Sequence, residues 1–275
     1  MFDLSNKTAL IVGGRGFLGR RFAVALAQSG ANVISADLPS LSPAASSHEF
    51  SLGEIESSIE QLNIDVTDPV SVDEVLQKIV EGESTIDILI YCVTAKPKDF
   101  YKPFTECSLE GWQFVLAAEL DGLFLVTQRV GKVMEKQRNG SVIFLSSIYG
   151  IVGNDQRIYE GANLPQLYGG VEGEAPKRVY SHAVYAAAKG AVISMTRYLA
   201  AYWGDHNIRV NCISPGGLAH PGENQDFVTR YSEKVPLGRK AGLDEINGAV
   251  VFLASDEASY INGHNLVVDG GWTAW

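Results

Sequence analysis

Cysteine is scarce. The three thiols, Cys92, Cys107 and Cys212, are odd in number, widely separated and without a Cys-x-x-Cys pair. That pattern argues against both a disulfide framework and a zinc site, so no metal is expected and a reducing, cytoplasmic setting is. Long apolar runs are missing too: none approaches the roughly 18 residues that would cross a bilayer, and Met1 to Lys7 carry no basic-then-apolar leader. Neither a membrane nor export is expected. Positive charge is in deficit, with 22 Lys+Arg against 32 Asp+Glu and a formal net charge of −10. This is the wrong sign for a nucleic-acid surface, and no nucleic-acid partner is expected. What the chain does have is apolar content, 46% over 275 residues. That is enough for one large core, and a single domain over 1–275 is the expectation.

Short apolar runs of strand length recur at Ala9–Val12, Asn32–Ala36, Leu62–Val66, Ile86–Tyr91, Ser141–Leu145, Arg209–Ile213 and Asn265–Val268. Between most of them lie stretches with helical period, such as Leu18–Ser29, where Leu18, Phe22, Ala25 and Leu26 share a face. Near-continuous apolar strands joined by helices predict a parallel sheet buried on both faces. The fold class is therefore α/β, a doubly wound, Rossmann-like sheet of seven strands. Pro39–Ser47 reads as a surface loop, and 151–180, glycine-rich and without clear period, as a long functional loop.

The first strand runs into Gly13-Gly14-Arg15-Gly16-Phe17-Leu18-Gly19 and then a helix. Glycines at 13, 16 and 19 in a strand-to-helix turn let the backbone approach a pyrophosphate while helix N–H groups point at its charge. Asp37, at the end of the second strand, is placed to accept hydrogen bonds from the ribose hydroxyls of an adenosine and to repel a 2′-phosphate. Arg15 pulls the other way, but NAD is favoured over NADP. At the other end of the argument stands Tyr185-Ala186-Ala187-Ala188-Lys189, opening a helix in which Ala188, Val192, Met195, Leu199 and Tyr202 recur at helical spacing. Tyr185 and Lys189 share a face, and an ammonium one turn away favours the phenolate, tuning a tyrosine for proton transfer. The fifth strand ends Leu145-Ser146-Ser147, where Ser147, or alternatively Ser146, offers a hydroxyl to a substrate oxygen. The histidines form no nucleophile elbow.

Taken in order, the glycine turn, Asp37, Asp65-Val66, Ser147, Tyr185/Lys189, Asn211-Cys212-Ile213-Ser214-Pro215-Gly216-Gly217 and Val268-Asp269-Gly270-Gly271-Trp272 resemble the short-chain dehydrogenase/reductase family over nearly the whole chain. The resemblance implies Tyr185 as general acid/base and Lys189 as the residue that binds the nicotinamide ribose and lowers the tyrosine. It further implies Ser147 as orienter of the reacting oxygen, Asp65 and Val66 beside adenine, and Pro215, Gly216, Gly217 and Leu218 beside the nicotinamide. Departures are specific. Val12 replaces the usual Thr, the glycine spacing resembles the family's epimerase branch, and Tyr91-Cys92-Val93-Thr94 replaces Asn-Asn-Ala-Gly, leaving cofactor contacts to be remade through Cys92 and Val93. His220 stands where a Thr is common, and Glu119 where an Asn usually supports a relay water.

Glu119 follows Trp112 by two helical turns, with Val115 and Leu123 on its face, within a helix expected near Leu109–Met134. It should point inward, to hold Lys189 or a relay water. Ser147 and Tyr185 are 38 residues apart, wider than the resemblance leads one to expect, so 151–180 is read as an insertion at the site's mouth. Its Arg157, Tyr159, Tyr168, Lys177 and Arg178 suit a polyhydroxylated or phosphorylated substrate, and 217–240 is read as the substrate loop. Ser146 to Gly150, Arg157 to Glu160 and the Trp-Thr-Ala-Trp ending resemble oxidoreductases of bacterial surface-sugar (nonulosonic acid) biosynthesis. The expected activity is interconversion of a secondary alcohol and a ketone on a small-molecule sugar derivative. A 3-oxoacyl reductase and a catalytically inactive dinucleotide-binding sensor are the alternatives. The resemblance implies a homodimer or homotetramer paired through the long helices.

Overall fold

The computed structural model describes residues 2–40, 54–83, 85–171 and 178–275. Most of the expected loop Pro39–Ser47, and Lys177 of the insertion, lie outside the described residues. Seven strands, β1 (Thr8–Val12), β2 (Asn32–Asp37), β3 (Glu60–Asn63), β4 (Ile88–Tyr91), β5 (Gly140–Leu145), β6 (Ile208–Pro215) and β7 (Asn265–Val268), form one sheet in the order β3-β2-β1-β4-β5-β6-β7. Every neighbouring pair is parallel. The helices are α1 (Gly19–Gln28), α2 (Pro69–Glu83), α3 (Leu109–Leu116), α4 (Gly122–Gln137), α5 (Leu164–Tyr168), α6 (Ala183–Trp203), α7 (Gln225–Ser232) and α8 (Asn247–Ala254).

Alternation along β1 explains why both faces need covering. Leu10 and Val12 enter a core with Val72 of α2, Val126 of α4 and Val192 of α6. Ala9 and Ile11 enter the opposite core with Phe22 of α1 and Val250 of α8. A strand apolar at every position has no solvent face, and the crossover helices supply two. The chain reverses direction across the sheet at β1, which pairs with β2 on one side and β4 on the other. Val12 lies opposite both Ala36 and Tyr91, while Leu145 lies opposite Ile213. The register therefore brings Gly13, Asp37, Cys92, Ser146 and Ser214 to one edge, where a doubly wound sheet opens its crevice.

Three elements differ from expectation. β3 is Glu60–Asn63 rather than Leu62–Val66. Its ladder to β2 stops at the Asp37–Asn63 pair, and Asp65 turns the chain by accepting from the backbone N–H of Thr67 at 2.9 Å and its hydroxyl at 2.6 Å. The single helix expected over Leu109–Met134 is broken by a π turn, Ala117–Asp121, between α3 and α4. There the Gly122 N–H donates five residues back to Ala117 O, and the Ala118 carbonyl, released from the helical ladder, accepts from the Tyr91 hydroxyl. Third, Tyr202 leaves the buried stripe of α6; it is exposed and stacks on Tyr198 at 6.2 Å.

Candidate active site

The glycine turn is tight for identifiable reasons. Gly13 sits at φ +86°, and a Cβ there would lie 2.9 Å from the Cys92 carbonyl carbon. A Cβ on Gly19 would lie 2.1 Å from Gly13 O, so α1 can start this close to the turn only without a side chain. α1 has neither a side-chain cap at Leu18 nor an acidic residue in its first turn, and although the Arg20 N–H donates to Gly16 O at 3.2 Å, the start of the helix presents its positive end to an anion. Asp37 is buried. Its Oδ2 accepts from Arg15 N at 2.9 Å and its Oδ1 from Leu38 N at 2.8 Å. Burial pushes its carboxyl above the usual range, opposed by those N–H groups and by the Arg15 charge. The Arg15 guanidinium is engaged by the Leu38 and Leu62 carbonyls at 3.0 and 3.1 Å. These features fit a dinucleotide whose pyrophosphate meets the turn and whose ribose meets Asp37.

The other cofactor residues are placed as follows. Phe17 stands half out of the turn against the His220 ring at 5.7 Å, and Leu18 packs on the α1/α8 core. Asp65 is spent on its own turn, and Val66 is buried against Gly122. The Cys92 thiol donates to Val12 O and Gly13 O at 3.3 and 3.4 Å, tying β4 to the glycine turn; burial raises it far above an ordinary thiol. Val93 lies against the core beside it. Pro215 ends β6, a Cβ on Gly216 would approach Asp269, and Gly217 N donates to the Tyr231 hydroxyl. Leu218 bridges in parallel to Ala241.

At the centre, α6 is started by His182, whose Nδ1 accepts from Val184 N at 3.2 Å and whose ring stacks on Phe100 at 5.1 Å. Burial lowers this histidine, with Asp99 opposing, and an accepting Nδ1 requires the neutral ring. One turn on, Tyr185 and Lys189 face the end of β5. Lys189 Nζ donates to Leu145 O at 3.2 Å, lies 5.5 Å from the Tyr185 ring centre and pairs with Glu119 Oε2 at 2.9 Å. Glu119, buried in the π turn, also accepts from Ala95 N at 3.3 Å. The Ser147 hydroxyl accepts from Tyr149 N at 3.2 Å and acts on the Tyr185 phenol, favouring its ionised form. Ser146 instead donates to the Lys189 carbonyl at 2.8 Å, a strut between β5 and α6 that leaves Ser147 as the hydroxyl facing the phenol.

Lys189 lowers the tyrosine as expected, but it does not set the balance alone. Burial comes first and leaves Tyr185 above an ordinary phenol; Lys189 and Ser147 pull it down, and Glu119 pushes it up. Burial also opposes the Lys189 charge, yet Glu119 and Tyr185 outweigh it and hold the lysine above its ordinary value.

The described residues of the insertion are more committed to internal contacts than its composition suggests. Tyr159 is buried and donates to the Tyr149 hydroxyl, so it offers nothing to a substrate. Arg157 is exposed and paired with Asp155 at 2.8 Å, and Arg178 lies over the Tyr180 ring. Of the insertion residues singled out, Tyr168 reaches the mouth, its ring 4.9 Å from that of His220. Asn163 clamps the substrate loop, donating to Gly222 O and accepting from Asn224 N, both at 2.8 Å. Glu223 forms a buried ion pair with Lys240 and accepts from His220 N at 3.2 Å. Lys96, His182 and Asn163 escaped the sequence reading. His182, three residues before Tyr185, carried a usable cap signal; Lys96-Pro97-Lys98 reads as an ordinary basic loop.

Two family models match the chain: "short chain dehydrogenase" over residues 7–162 and "Enoyl-(Acyl carrier protein) reductase" over 174–273. The D-threitol dehydrogenase of Mycolicibacterium smegmatis is 33% identical over 99% of this chain and 95% of its own. A 3-oxoacyl-[acyl-carrier-protein] reductase of Thermotoga maritima is 32% identical over 98% of both. The crystal structure of a short-chain dehydrogenase from Leptospira borgpetersenii serovar Hardjo-bovis with bound NAD+ superposes with a TM-score of 0.81 at 30% identity, covering 98% of this chain and 94% of that one.

Proposed function

The chain belongs to the short-chain dehydrogenase/reductase family, and on that premise we propose that it is an NAD-dependent oxidoreductase interconverting a secondary alcohol and a ketone on a sugar or sugar derivative. The observation that carries the reading is the linked set Ser147, Tyr185, Lys189 and Glu119 at the carboxyl end of β5. Gly13, Gly16 and Gly19 hold the pyrophosphate at the start of α1, and Asp37 holds the adenosine ribose. Held by these residues, the reduced cofactor would supply the hydride for carbonyl reduction and the oxidised cofactor would accept it in alcohol oxidation.

The chain's own groups handle the proton. In carbonyl reduction the neutral Tyr185 phenol, stabilised by burial, donates to the developing alkoxide while Ser147 orients that oxygen. In alcohol oxidation the phenolate accepts the proton, and the Lys189 ammonium stabilises it. Glu119 acts through Lys189 as a positioning residue, fixing the ammonium against the Leu145 carbonyl.

Substrate class is the finer part. D-threitol dehydrogenase and 3-oxoacyl reductase are matched almost equally, so the reading draws its support from the site. A mouth built from Lys96, Tyr168 and His220 favours a polyhydroxylated substrate over an acyl chain. The narrower reading, surface-sugar (nonulosonic acid) biosynthesis, rests on the short motifs at 146–150, 157–160 and 272–275. Exposed Phe114, Phe124, Tyr198 and Tyr202 on α3, α4 and α6 support a homodimer or homotetramer, which sedimentation would contradict by finding a monomer. Three free thiols and no described helix long and apolar enough to cross a membrane support a cytoplasmic setting.

A panel of keto-sugars, aldonic acids, polyols and a 3-oxoacyl thioester, assayed with NAD(H) and NADP(H), tests the reading. Turnover of a sugar-class substrate with NAD(H) is expected. Tyr185→Phe is expected to lose about 10²- to 10⁴-fold in turnover while still binding NADH. Tight NADH binding with no turnover on any substrate would make the protein a sensor instead.

A further inference from the structure

Lys96 has no part in the proton chemistry above, yet it stands beside it. The preceding residue, Ala95, donates its N–H to Glu119 Oε1 at 3.3 Å, so Lys96 leaves the backbone next to the carboxylate that holds Lys189. A Cβ added at Gly170 would lie 3.2 Å from both Lys96 Cβ and Phe100 Cβ. The Phe100 ring in turn meets the Tyr185 ring edge-on at 6.4 Å. From there the Lys96 ammonium reaches the insertion, donating to Tyr168 O at 3.1 Å with the Tyr168 ring centre 4.7 Å away. Tyr168 leads to His220 of the substrate loop. The cation thus lies where the chain after β4 meets the insertion, with the substrate loop beyond Tyr168 and the Phe100 ring between the Lys96 stem and Tyr185.

An ammonium carries three donors. Here one is met by a neutral carbonyl and the charge faces one aromatic ring, which is weak compensation for partial withdrawal from water. Among the described residues no carboxylate lies within ion-pairing distance of Lys96. The two fully buried lysines are treated differently: Lys189 has Glu119 and Lys240 has Glu223. Burial pushes the Lys96 ammonium down to about 8, with the Glu119 charge opposing from the π turn. A single ammonium beside a carbonyl acceptor suits a carboxylate monoanion. A phosphate dianion calls for more donors than this corner provides.

We propose that Lys96 is a specificity-determining residue that receives the carboxylate of a polyhydroxylated acid, so that the substrate of the site is a sugar acid rather than a neutral sugar or polyol. The proposal deepens the dehydrogenase reading and rests on it for the rest of the substrate, although binding of the carboxylate requires no turnover.

Calorimetric titration of the full chain, with and without saturating NADH, tests it. D-gluconate, D-galactonate and D-glucuronate are compared with sorbitol, galactitol and D-glucose, and with sorbitol 6-phosphate. At least one acid is expected to bind about tenfold or more tighter than its neutral counterpart. Lys96→Met should abolish that margin, and Lys96→Arg should keep most of it. The proposal is overturned if no acid outbinds its neutral partner, if the margin survives Lys96→Met or is lost equally in Lys96→Arg, or if the phosphate ester binds more tightly than the acids. Failure to bind NADH strikes the dehydrogenase reading instead, and the titrations without nucleotide keep the two failures apart.

Discussion

Tyr185 has a cation and an anion acting on it from opposite directions, and Glu119 is where this chain departs most from the family pattern. Removing the carboxylate removes an influence that raises the phenol, so Glu119→Gln should move the acid limb of alcohol oxidation to lower pH. The same change leaves Lys189 buried without its partner, and losing one member of such a pair typically costs on the order of 3–5 kcal/mol. Lys189 is held above its ordinary value in the folded chain, so the pair contributes stability below the ordinary lysine range and loses it only as pH climbs through the raised value. The variant's lower melting temperature should therefore persist at neutral pH and converge on that of the parent only in strongly alkaline solution. An unchanged pH–rate profile would reduce Glu119 to a structural role. Asp37, Tyr185 and Lys189 were legible because strand ends and i, i+4 spacing place them by arithmetic. The balance of influences on Tyr185 was not, because burial is a property of the assembled core.

At the level of elements, the strands announce themselves because both faces of the sheet are buried and most positions are apolar. β3 is the exception: as an edge strand beginning Glu60-Gln61, it carries half the signal, and its start shifted by two residues and its end by three. The π turn left no mark on the hydrophobic period, since Val115 and Leu123 remain buried on either side of it. Its cause is tertiary, the Tyr91 hydroxyl taking the Ala118 carbonyl. The insertion and α7 share a third core with Phe100, Tyr159, Phe227 and Trp272, fastened to the substrate loop by Asn163. Asn163→Ala removes both of those hydrogen bonds, and steady-state kinetics should show KM raised severalfold, with kcat within about twofold. Loss of kcat with KM unchanged would mean the clamp serves the chemical step instead.

Across the whole molecule, strand order, glycine turn and the cluster of Ser147, Tyr185, Lys189 and Glu119 converge on one edge of one sheet, and the sequence order of the motifs was enough to anticipate that edge. What no motif disclosed was the mouth: Lys96, Tyr168 and His220 lie 72 and 52 residues apart in sequence and meet only through the fold. The account as a whole stands on hydride transfer at that edge with Tyr185 supplying the proton. The direct measurement is label transfer from NADH deuterated at the transferable C4 position to a keto-sugar acid or keto-sugar, read by mass spectrometry. The account predicts one deuterium on the new carbinol carbon with the parent protein, and bound NADH without transfer in Tyr185→Phe. Labelled NADH held tightly by the parent protein, with no deuterium in any product, would contradict it.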